Sequence, residues 1–179
     1  MQLGLCCISL DLQELDEPYR FQTMTYKRFS QLDRQEALFT LGQRILNNME
    51  VTHATIIHCA EHNYCYRISS DLFPLITYRA ANITLNDVPQ FNDIIQEIED
   101  IKQTIKDSKV RISCHPSEFN VLASTNTDAV DRTITELNFY ANFLDMIGCS
   151  ADYNCPMNIH INNRQGSNDE VVERFIQNF

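Results

Sequence analysis

Four short apolar runs, each followed by a stretch with helical periodicity or a helix start, constrain this chain more than any other feature of its sequence. The runs are LGLCCISL from Leu3, YCYRIS from Tyr64, VRISCH from Val110 and MNIHIN from Met157. Each has strand length. A polar segment from Asp11 to Ser30 shows neither period and is expected to be loop. From Gln31 to His62, Leu38, Leu41, Ile45 and Met49, then Ala54, Ile57 and Cys59, mark one long helix, with a kink expected near Val51 and Thr52. Pro74 makes the segment after the second run a loop, because it cannot donate to a ladder.

The sequence from Val88 to Asp107 places Phe91, Ile94, Ile98, Ile101 and Ile105 on one helical face and carboxylates on the other, a solvated acidic face. A third helix is expected from Asp128 to Ile147, stopped by Gly148, and a fourth from a cap at Ser167 or Asn168. The resulting order alternates strand and helix four times. Alternation of that kind implies a parallel sheet of α/β class.

With 179 residues, the prior is a single domain. Hydrophobic residues make up 44% and charged residues 21%, with little Gly, which excludes a disordered or fibrous chain. The seven cysteines follow no disulfide-framework spacing and Met1 opens no signal segment, so a reducing cytoplasm is expected. No run approaches the length of about 18 apolar residues that suggests a membrane span. The formal charge of −10 argues against a large basic nucleic-acid surface. Divalent ions held by carboxylates and imidazoles would supply local positive charge instead. Glycine-rich phosphate loops and the G-x-S-x-G nucleophile elbow are absent.

In a parallel barrel the chemistry sits at the C-terminal ends of the strands. The polar residues there are Ser69, Ser70 and Asp71 after the second run, His115 after the third and His160 in the fourth. Two of the five histidines thus occupy matching ends of neighbouring strands, where neutral imidazole suits a divalent ion. The alternative is a pair of hydrogen-bonded core histidines. HCAEHNYC, from His58 to Cys65, has no second knuckle and is read as helix-end polar residues and buried thiols rather than zinc ligands. The adjacent Cys6 and Cys7 are read as packing.

YRISSDLFPL, RISCHPSEFNVLAS and NIHIN occur in order behind LGLCCISL, and together they resemble the UV damage endonuclease family over nearly the whole chain. The resemblance implies a metal-dependent TIM-barrel enzyme, similar to endonuclease IV, that nicks duplex DNA immediately 5′ of UV photoproducts with a divalent metal cluster, often manganese. It implies His115 and His160 as catalytic metal ligands. Glu118 and Phe119 match the family's lesion-probing pair, and Ser9 and Tyr78 join them on the DNA side.

Some positions depart from the family pattern. Tyr78 stands where the family has a metal-binding His, Glu118 replaces Gln, Ser117 replaces Gly, and Leu5 and Ser9 replace Tyr and Asn. Since an eight-stranded barrel takes about 250 residues, residues 1–179 are expected to form the N-terminal half of a (β/α)8 barrel, about four βα units. The family's later ligands would lie in a missing second half. Damaged duplex DNA is the expected partner, with a second chain or further copies completing the barrel. The alternatives are a catalytically inactive interaction module of the same fold and, less well matched to the motifs, a xylose-isomerase-like sugar enzyme.

Overall fold

The computed structural model describes residues 2–117, 119–161 and 163–179. Three strands, β1 (Gly4–Cys6), β2 (Cys65–Ile68) and β3 (Ile112–Cys114), form a parallel sheet in the order β1-β2-β3. Leu5 lies opposite Tyr66, and Arg67 opposite Ser113. Parallel neighbours need long crossovers, and helices α3 (Arg34–Glu61) and α4 (Phe91–Ser108) supply them. Tyr66, Ile68, Ile112 and Cys114 are buried among the core residues while Arg67 and Ser113 turn to the opposite, less covered face. The strand period of two makes that division.

The long helix α3 runs without interruption through Val51 and Thr52, where a kink was expected. Its Leu41, Ile45, Met49 and Ile56 are fully buried, and the Thr52 and Thr55 hydroxyls donate to the Asn48 and Val51 carbonyls one turn back. Burial of each such aliphatic side chain contributes about 1.5–3 kcal/mol, so the apolar stripe outweighs β-branched propensity. Opposite it, α4 buries Ile94, Ile98 and Ile101. His53 of α3 clasps α4 twice, with Nδ1 2.6 Å from Glu97 Oε1 and Nε2 2.8 Å from Thr104 Oγ1.

Two expectations need correction. The segment read as loop from Asp11 to Ser30 carries two short helices, α1 (Leu10–Gln13) and α2 (Tyr26–Gln31), each started by a side-chain cap, from Ser9 and Thr25. Fully buried Asn48 pins the intervening chain: its Oδ1 accepts from Gln22 N at 2.7 Å, and its Nδ2 donates to the Gln22 and Asp71 carbonyls at 3.0 and 2.9 Å. Among its described residues, the fourth run is not a full strand: only Met157 bridges Cys114 in parallel, through Cys114 N to Pro156 O at 3.0 Å and Asn158 N to Cys114 O at 2.9 Å. Pro156 has no N–H to extend that ladder.

Two further helices close the order. α5 (Thr127–Met146) is capped by Asn126 and stops before Gly148, whose φ of +77° suits glycine. α6 (Asn168–Asn178) begins with a reciprocal capping box between Ser167 and Glu170. Among the described residues, no helix is long and apolar enough to cross a membrane.

Candidate metal and DNA site

Because the three strands are parallel, Cys6, Ile68 and Cys114 all end on one side of the sheet. The chain leaves β3 at half-buried His115, and the bridge at Met157 carries the following segment to exposed His160. The two rings meet edge to face, with centroids 4.6 Å apart and planes at 84°. Residues 45 positions apart are thus brought into direct contact at the strand tips. Two imidazoles supply two of the three protein ligands that a hydrolytic metal centre commonly takes. Among the described residues, no group of three or more His, Cys, Asp or Glu could hold an ion. The remaining donors would have to come from elsewhere.

The loop after His115 is anchored on its C-terminal side. Asn120 is buried and donates through Nδ2 to Glu136 Oε1 of α5 at 2.8 Å, while Val121 N donates to Thr133 Oγ1 at 3.1 Å. From α6, Arg174 Nε donates to Ala123 O at 3.0 Å and Asn178 Nδ2 to Leu122 O at 2.8 Å. Phe119 leaves 84% of its surface exposed. Glu118 lies outside the described residues. A large aromatic exposed on an anchored loop offers a flat apolar face of the kind that can stack or wedge.

The neighbouring strand tip is fixed by phenols. Tyr140 of α5 donates its hydroxyl to Ser70 O at 2.6 Å, and Tyr66 donates to Cys7 O at 3.0 Å. Burial drives both hydroxyls well above the ordinary phenol range, so they serve as fixed donors. Ser69 is buried and accepts from Asp71 N at 3.2 Å, a local turn rather than an open ligand. Burial also pushes the Cys114 thiol up to about 12, which keeps it neutral beside the histidines.

Ser9 and Tyr78 each have partners of their own in the fold. Ser9 is buried, and its hydroxyl caps α1 by accepting from Leu12 N at 3.4 Å. Tyr78 packs on Tyr26, with ring centroids 5.2 Å apart, and lines a cleft of about 500 Å³ with Arg79, Asn82, Thr84 and Asp87. In the HCAEHNYC segment, the His58 and His62 rings lie tilted at 35° with centroids 4.2 Å apart, His58 Nε2 lies 3.6 Å from Asp11 Oδ2, and Cys59 is buried. Asn120 lies within the RISCHPSEFNVLAS block without being singled out there, and the other supporting residues, Thr133, Glu136 and Arg174, carried no motif. Their signal is tertiary, although the Thr133 and Glu136 spacing on one face of α5 was readable.

The sequence model of the UV-endonuclease UvdE family matches residues 1–179. UV DNA damage endonucleases of Bacillus cereus (strain B4264) and of Nostoc sp. are 30% and 31% identical over 159 and 160 residues, covering 88% and 89% of this chain. Those alignments cover 48% and 47% of the relatives, so the chain spans about half the length of the curated relatives it matches. The crystal structure of SacUVDE aligns with a TM-score of 0.77 at 24% identity, over 99% of this chain and 55% of that one. That likeness speaks for the fold, a part of a TIM-barrel-like α/β architecture, and the match along all 179 residues speaks for descent: the chain belongs to the UV-endonuclease UvdE family.

Proposed function

We propose that the chain contributes to a metal-dependent endonuclease that nicks duplex DNA immediately 5′ of UV photoproducts. The observation that carries this reading is the edge-to-face contact of His115 and His160 at the C-terminal end of a parallel sheet, in a chain of this family. His115 and His160 would hold a divalent ion, manganese before others, which when bound supplies Lewis acidity and an activated water. Phe119 stacks at the lesion, its loop held in place by Asn120, Thr133 and Arg174. The remaining donors come from outside the described residues of this chain. The reaction belongs in the cytoplasm, where the seven free thiols stay reduced.

The test is incubation of the chain with Mn²⁺ and a labelled duplex carrying one cyclobutane dimer, beside undamaged duplex and a His115→Ala variant. A nick 5′ of the dimer that requires both Mn²⁺ and His115 is the expected result. Equal cutting of undamaged duplex, or full activity in His115→Ala, overturns the reading. Mn²⁺ titration followed by electron paramagnetic resonance reads the metal half separately, and His115→Ala weakens binding at least about tenfold. The formal charge of −10 and the absence of a third donor among the described residues favour one second reading, a non-catalytic interaction module of the same fold. No nick together with no Mn²⁺ binding would select it.

A further inference from the structure

Consecutive side chains in a β-strand point to opposite faces, so two adjacent cysteines in a regular strand hold their sulfurs apart. Cys6 and Cys7 depart from that rule. β1 ends at Cys6, and Cys7 adopts φ +63°, the left-handed region that a non-glycine residue occupies only when its surroundings impose it. Both backbone groups of Cys7 are held by β2: its N–H donates to Arg67 O at 2.9 Å, and its carbonyl accepts from the Tyr66 hydroxyl at 3.0 Å. The turn leaves the two Sγ atoms 3.6 Å apart. Arg67 lies opposite Cys6 in the register, and its Nη2 contacts Cys6 Sγ.

Cys6 also differs from the chain's other thiols in access: it is exposed, whereas Cys7, Cys65, Cys149 and Cys155 are half-buried and Cys59 and Cys114 are buried. A cysteine that is exposed, beside a guanidinium and within reach of a second sulfur has the three attributes of a redox-active thiol. Packing accounts for none of them.

We propose that Cys6 and Cys7 form a peroxide-responsive dithiol that closes reversibly to a disulfide between adjacent residues, with Cys6 as the nucleophile and Arg67 stabilising its thiolate. In the first step the Cys6 sulfur, having given its proton to solvent, attacks one oxygen of hydrogen peroxide. The O–O bond breaks, Cys6 becomes the sulfenic acid, and the departing hydroxide takes up a proton to leave as water. In the second step the Cys7 sulfur attacks the Cys6 sulfur, the S–O bond breaks, and the hydroxyl leaves as water with the Cys7 proton. Two thiols are oxidised and one peroxide is reduced to two waters. Burial and the neighbouring Cys6 push the Cys7 thiol up to about 11, which suits the resolving role over the attacking one. Closure draws the sulfurs from 3.6 Å to a bond of about 2 Å. It thereby reshapes the tip of β1 on the side of the sheet where His115 leaves β3.

The test needs no nuclease activity. The reduced chain is exposed to equimolar hydrogen peroxide, alkylated with iodoacetamide and cut with trypsin, which releases residues 1–20 with Cys6 and Cys7 as their sole cysteines. The expected peptide lacks two hydrogens, carries no alkyl group and is restored by dithiothreitol. Arg67→Gln slows closure at least about threefold, because Cys6 loses the guanidinium that contacts its sulfur, and Arg67→Lys retains most of the rate. In Cys7→Ser, dimedone traps a sulfenic acid on Cys6. The proposal is overturned if residues 1–20 come back doubly alkylated while peptides carrying Cys149 and Cys155 are oxidised, or if Cys6 goes irreversibly to sulfinic acid with Cys7 still alkylated. An unchanged rate in Arg67→Gln overturns the assignment of Cys6 as the activated thiol.

Discussion

Phe119 shows how a residue's exposure separates its roles. With 84% of its surface open, the ring contributes little to the core. Phe119→Ala is therefore expected to change folding stability by no more than about 0.5 kcal/mol in chemical denaturation, while reducing affinity for lesion-bearing duplex by about tenfold or more, the worth of one stacked base. A large stability loss would mean the ring is seated in the fold and not presented to DNA. His115 was legible from the sequence because its strand stops at Cys-His-Pro. Ser9 was not, because only the folded chain shows its hydroxyl spent on Leu12 N.

The elements depend on their caps in ways that pH and substitution separate. Asn126 accepts from Asp128 N and Ala129 N at 2.9 and 3.3 Å, so Asn126→Ala should cost about 1 kcal/mol by thermal unfolding. At the start of α6, the backbone N–H of Ser167, then its hydroxyl, hold the Glu170 carboxyl below its ordinary value of 4.5. A carboxyl lowered in the folded state stabilises the fold above its unfolded pKa and loses that contribution as pH falls through the folded value. Acidification below pH 4.5 should therefore weaken α6, as followed by amide hydrogen exchange, and Glu170→Gln should remove that pH dependence. Asp87, held low by the Thr84 backbone and hydroxyl, behaves alike from its ordinary 3.8. Glu50 runs the other way, since burial and then Glu97 raise it, and its protonation relieves a cost of the folded state.

The α/β alternation that foretold a parallel sheet is realised at the scale of the whole molecule, yet its fourth strand shrinks to the bridge at Met157. On that side Ile134, Leu137, Met157, Ile159 and Phe179 line an open apolar cleft, and Phe179 is more than four-fifths exposed. Exposed sheet edges and contiguous apolar surface favour association, so sedimentation of the isolated chain should show species heavier than the monomer. A strictly monomeric chain would count against completion by further copies. The sequence by itself determined the three parallel strands, the four long helices and the choice of His115 and His160, because hydrophobic period and cap residues are local signals. Tertiary structure alone decided that His115 and His160 touch, that Tyr78 turns to Tyr26, that Asn48 anchors the chain before α2, and that Cys6 and Cys7 share one side. Each of these depends on contacts between distant residues or on a backbone angle imposed by a neighbouring strand, which no local pattern encodes.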